Sequence, residues 1–169
     1  MAASSFTCYD CNYEYQYFIP HQGFIFLMRL HFNLCNAVIE NLQEIFELDK
    51  LANQVIEKKI RSDRRWGSRD RKFVSETTYD IVRYFRFFAY TTNQNIESIE
   101  NWWLVLGSYF LAKKVELPNW EVFDKVNQSS IEKKRIEGQE IRKIRESIPD
   151  WLDDLGTEEL GEKLSLIHI

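Results

Sequence analysis

Cysteine and proline each occur three times in 169 residues and glycine six times, and each shortage excludes something. An odd, small number of cysteines makes no disulfide framework, so the fold must rest on its own core. Scarce glycine and proline argue against a turn-rich sheet protein and for long helices. The longest apolar run near the N-terminus, 23–28, falls far short of the ~20 residues that cross a bilayer, and no secretory signal opens the chain. A cytoplasmic protein without a membrane segment is the expectation. The glycines form no G-x-G-x-x-G after a strand, so no cofactor loop is indicated, and neither a Ser-His-Asp set nor a carboxylate pair for acid–base chemistry is apparent.

What is present is apolar and aromatic: 44% hydrophobic and 15% aromatic residues, enough for one globular domain with a real core. The net charge is −4, yet residues 58–72 hold eight Lys or Arg against Asp63 and Asp70, a local +6 that leaves −10 for the rest. Such segregation costs self-repulsion and points to a polyanionic partner, because Lys and Arg contacts to phosphate drive nucleic-acid affinity. The structural alternative is a solvated helix end and loop.

Spacing predicts an all-α chain. Leu30, Leu34, Val38, Leu42 and Ile45 mark a first helix of about five turns. Asp49 is placed to cap a second helix with Ala52, Val55, Ile56 and Ile60 on its inner face. Trp66-Gly67 interrupts the pattern, and Ser68 resembles the N-cap of a long third helix carrying Phe73, Val74, Thr77, Ile81, Phe85 and Phe88 inward. A fourth helix, from about Ile96 through Trp102, Trp103, Leu106, Tyr109 and Phe110 to Lys113, reads as the core helix. Leu117-Pro118-Asn119-Trp120 breaks it. The stretch from Ser130 to Ser147 has nearly balanced charge and reads as an exposed helical connector with i,i+4 pairs, ended by Pro149.

The ends differ from the middle. Residues 1–27 contain no Lys or Arg, and an amphipathic pattern begins directly after Met28. They are expected to be translated upstream sequence or a poorly ordered arm, with Met28 as the start. Residues 164–169, LSLIHI, resemble the translation of a transposon end used in sequencing libraries, against the alternative of a natural short C-terminus. The expected organisation is thus an extension (1–27), a helical RNA-binding domain (28–126), a charged helical connector (127–163) and a non-native tail (164–169).

Within the basic stretch, the candidate RNA-binding residues are Lys58, Lys59, Arg61, Arg64, Arg65, Trp66, Arg69, Arg71 and Lys72. Arginine forks grip phosphate oxygens bidentately, lysine supplies a point charge, and Trp66 can stack on an unpaired base or pack on the bundle. The helix start near Ser68 adds unpaired backbone N–H groups. Asp70 favours the helix dipole and has a structural reading of its own. Arg83 and Arg86 either snorkel over core rings or extend the binding face. Cys8-x-x-Cys11 invites zinc, with only His21 and the distant Cys35 to complete four ligands; Cys35 is better explained as a small buried side chain.

The segment WGSRDRKFVSETTYDIVRYFR resembles the signature of NusB-like all-helical domains, in which a Ser68-Arg69-Asp70-Arg71 start opens a long central helix. The later ESIPDWLDDLGTEELGEK is similar to the segment joining this domain to the catalytic part of the RsmB/NOP2/Sun family of ribosomal RNA cytosine-5 methyltransferases. The resemblance runs from about Met28 to Lys163. It implies a NusB-like bundle and a parent enzyme that uses S-adenosylmethionine and two cysteines of a downstream Rossmann-like domain. Neither the cofactor nor a catalytic residue is assigned to this chain, whose implied role is to place ribosomal RNA. A free-standing NusB-type antitermination factor and a helical protein-interaction module are the alternatives; the first reading requires coding sequence beyond Lys163 and the second a stop soon after it.

Overall fold

In a computed structural model of the chain, residues 30–95 and 99–165 are described, without the side chains of 160 and 162–165. The expectations for residues 1–27, for Met28 and for 166–169, and the Cys8, Cys11 and His21 of the zinc hypothesis, lie outside them. The described residues form eight α-helices and no strand: α1 (Phe32–Phe46), α2 (Ala52–Ser62), α3 (Ser68–Arg83), α4 (Phe85–Thr92), α5 (Trp102–Ala112), α6 (Gln128–Glu140), α7 (Arg142–Arg145) and α8 (Asp150–Ser165). A single 3-10 turn, Glu121–Phe123, lies between α5 and α6.

The core forms where the apolar stripes meet. Val38 and Leu42 of α1, Phe73, Val74 and Ile81 of α3, and Phe87 and Phe88 of α4 are buried around α5, whose Val105 to Phe110 are all buried. A helix apolar on every side is one surrounded by protein, which is how α5 sits. Its rings meet their neighbours both edge-on and stacked: Phe88 to Tyr109 at 5.8 Å and Phe110 to Phe123 at 6.4 Å edge-on, and Phe73 to Phe110 at 6.4 Å stacked, between centroids. Trp102 is buried, and Trp103 is half-buried and stacked on Phe32 at 5.3 Å. Cys35 is in this core, and burial pushes its thiol up to about 12, which leaves it inert.

Four boundaries differ from the sequence expectation, each for a local reason. The first helix begins at Phe32, so Leu30 packs on the core from outside it. Asp49 caps nothing: it has φ 49°, and α2 starts after Leu51 with no side-chain cap. The third helix divides at Tyr84 (φ −110°, ψ 28°), because the Arg86 N–H donates to the Ser147 hydroxyl at 2.9 Å instead of continuing the ladder. The fourth begins at Trp102, not near Ile96; the Asn101 side chain accepts from the Trp103 N–H at 3.0 Å, and Gln94 brackets the Asn101 backbone with two further bonds.

The charged segment after residue 127 has a buried inner face. Ile131, Gly138, Ile144 and Ile148 are buried, and α6 packs along α4. Its outer face carries the expected short-range pairs, Lys133 with Glu137 at 3.9 Å and Arg135 with Glu132 at 2.6 Å. Among the described residues no helix is long and apolar enough to cross a membrane.

Candidate nucleic-acid interface

The basic stretch is folded as the last turns of α2, the loop 63–67 and the first turns of α3. Asp63 turns the loop: its carboxylate accepts from the Arg65 N–H at 3.0 Å and from the guanidinium at 2.9 and 2.7 Å. These bonds hold the Asp63 carboxyl down to about 2. Gly67, rather than Ser68, is the N-cap of α3, and its N–H donates to Asp70 Oδ2 at 3.0 Å. The sequence expectation for Ser68 is thereby corrected by one position. Asp70 supplies the return half of a capping box to a residue with no side chain of its own. Its structural reading is the one the geometry supports.

The structure divides the eight basic candidates into two groups. Lys58 lies 3.4 Å from Glu44, which also holds Lys50 at 2.7 Å. Lys59 pairs with Glu40, Arg61 with Glu57, Arg65 with Asp63, and Lys72 lies 3.7 Å from Glu76. Glu44 is pulled below the usual carboxylate range, first by its bond to Lys50. The four glutamates that meet the stretch lower its charge from +6 to +2. Arg64, Arg69 and Arg71 are exposed and engage no carboxylate through their side chains among the described residues. Arg64, Arg69 and Arg71 are therefore the cations most available to an outside anion, since a phosphate competes with no internal partner there.

Trp66 packs on the bundle, one of its two readings, without being fully covered. It is half-buried, and it also lines a cleft of about 500 Å³ between the start of α1 and the loop. The α1 wall is His31, Asn33, Leu34, Asn36, Ala37 and Glu40; the facing wall is Lys59, Ser62, Asp63, Arg65, Trp66 and Asp70. The α1 side of this cleft was not anticipated from the sequence. Its signal was available: Asn33, Asn36 and Glu40 follow one another at helical spacing on the face opposite the buried stripe.

The remaining basic candidates belong elsewhere. The Arg83 guanidinium stands 5.7 Å from the Tyr84 ring. Arg86 is committed to the fold: it donates to Asp150 at 2.7 Å and to the Ile148 carbonyl. Among the described residues no group of three His, Cys, Asp or Glu is placed to hold a metal. Compared with protein-family models, curated proteins and solved structures, the chain matches none.

Proposed function

We propose that this chain is an RNA-binding helical domain that grips structured RNA with the loop between α2 and α3 and the first turn of α3. Its role, following the resemblance to NusB-like domains, is to place ribosomal RNA for an S-adenosylmethionine-dependent cytosine-5 methyltransferase whose catalytic domain acts in cis. The observation that carries the RNA reading is the trio Arg64, Arg69 and Arg71, exposed and without carboxylate partners among the described residues, on the loop and the first turn of α3 beside Trp66 and an open cleft. Cations on the rim take phosphates and an aromatic face takes a base, the usual division of labour in RNA recognition.

A protein-interaction module is the second reading, favoured by the five cations of the stretch that already meet carboxylates. Binding of a labelled RNA hairpin across a salt series separates the two. RNA binding requires log affinity to fall linearly with log salt, by roughly 0.9 per phosphate contact, and Arg64→Glu/Arg69→Glu/Arg71→Glu to weaken binding and flatten that slope. Arg65 is left intact because its loss would unfasten Asp63. Affinity that survives the triple reversal unchanged removes the RNA reading.

A further inference from the structure

The cleft between α1 and the loop has two chemically different parts. Part of its lining is apolar, from buried Leu34 and Ala37 and the half-buried Trp66. Another part carries carboxylate acceptors, each held in position: Asn36 Nδ2 donates to Glu40 Oε1 at 2.7 Å and Lys59 to its other oxygen, Arg65 grips both oxygens of Asp63, and the Gly67 N–H fixes Asp70. A carboxylate has about four acceptor sites, so none of the three is exhausted by these bonds.

The charge inside the cleft differs from that outside. Three carboxylates against Lys59 and Arg65 leave the lining at −1, which repels a phosphate. The uncompensated cations Arg64, Arg69 and Arg71 are chain neighbours of the lining residues Arg65 and Asp70 and are exposed. An RNA strand laid here keeps its phosphates on the arginines and turns a base inward. Apolar side chains, one of them an indole, beside carboxylate acceptors suit a heteroaromatic ring whose rim carries N–H donors. The volume, about 500 Å³, lies within the roughly 300–1,000 Å³ of small-molecule sites.

We infer that the cleft is a pocket for one unpaired nucleobase bearing an exocyclic amine, stacked against Trp66 with the amine directed to the carboxylates; this rests on the RNA reading above. Adenine, cytosine and guanine each offer such an amine. Uracil presents carbonyl oxygens on both sides of its single N3–H and meets the carboxylates with like polarity. The pocket therefore discriminates by base class, while the arginine rim is indifferent to sequence.

The test is fluorescence-anisotropy binding of the full chain to labelled six-nucleotide adenosine, cytidine and uridine oligomers at fixed salt. Uridine is expected to bind about tenfold more weakly than the other two, the size of one good base-edge contact. Trp66→Ala is expected to lose about tenfold on adenosine and cytidine and Trp66→Phe much less, since a base stacks on either ring. Glu40→Gln, an exposed substitution, is expected to narrow the uridine penalty because an amide donates to a uracil carbonyl. Equal, salt-dependent affinity for all three oligomers that is indifferent to Trp66→Phe, Trp66→Ala and Glu40→Gln overturns the pocket and leaves RNA binding standing. No affinity for any oligomer or for the hairpin overturns both.

Discussion

Arg86 on α4 donates to Asp150 Oδ1 at 2.7 Å, across 64 residues, and its other guanidinium nitrogen reaches the carbonyl of Ile148. Together with the Ser147 hydroxyl on the Arg86 N–H, these contacts clasp the turn between α7 and α8 to the bundle. Asp150 is exposed and also meets Lys143 at 2.9 Å, so its ion pair with Arg86 is screened and shared and contributes little. The carbonyl of buried Ile148 matters more. Arg86→Met is expected to destabilise the fold by about 1–3 kcal/mol, the cost of an unmet buried polar group, while Asp150→Asn is expected to leave stability nearly unchanged. Urea unfolding of the two variants decides between them; equal losses would mean that the ion pair, not the carbonyl, carries the clasp.

Gly138 is buried where α6 crosses α4. A Cβ there would stand 3.1–3.3 Å from ring carbons of Tyr90 and Phe87. In an exposed helix Gly→Ala gains about 1 kcal/mol. Here the rings must shift, and Phe87 is buried in the core. Gly138→Val is therefore expected to cost about 1–3 kcal/mol and to loosen α6 from the bundle, seen as faster amide exchange along 128–140. Unchanged exchange would show that the rings yield freely.

The buried contact of Tyr109 with Asp80 makes stability fall at high pH. The phenol donates to Asp80 Oδ2 at 3.0 Å, and Lys113 Nζ is 3.3 Å from the same oxygen. Burial, then the Asp80 charge, raises the Tyr109 phenol far above its ordinary value of 10.0. A raised folded value gives stability that is whole below the unfolded value and is lost as pH rises above it. Lys113 is lowered by burial from 10.5, which works in the opposite direction, but only until the unfolded ammonium also loses its proton. Stability is therefore expected to decline above about pH 10.5 and Tyr109→Phe to remove most of that decline, at a cost of about 1 kcal/mol near neutrality for the lost bond. Chemical denaturation between pH 8 and 11.5 measures both; a decline that Tyr109→Phe leaves intact belongs to other groups.

Periodicity carried most of the fold. Val38, Leu42, Val74 and Ile81 lie three or four residues from their stripe neighbours, and no competing pattern of alternation obscured them. The break at Tyr84 was not legible because its cause is the Ser147 hydroxyl, 61 residues downstream of the Arg86 N–H that it takes. The buried face of α6 was hidden for a related reason: only Ile131 and Gly138 face inward, too few to form a stripe amid balanced charge. At the site, the cluster itself was visible as a count of charges along the chain. The glutamates that meet it were not, since Glu40 and Glu44 come from α1 and belong to no local pattern. Net charge over a window overstates a basic patch wherever a neighbouring helix supplies the opposite sign.

Those glutamates also give the basic stretch a test that does not remove a single cation. Glu44 holds Lys58 and Glu57 holds Arg61, and neither carboxylate lines the cleft. A phosphate that takes Lys58 or Arg61 has to displace its carboxylate, so part of the gain on binding RNA is offset by an ion pair lost. Exposed pairs of this kind are screened and weak, so the offset is small. Glu44→Gln/Glu57→Gln is therefore expected to tighten hairpin binding by roughly two- to fivefold and to steepen the dependence of log affinity on log salt, as two more cations reach phosphates. Both substitutions are on the solvent side of α1 and α2 and leave the core untouched, so the melting temperature serves as the control. Unchanged affinity at unchanged stability would show that Lys58 and Arg61 serve only their glutamates, and would confine the RNA contact to Arg64, Arg69 and Arg71.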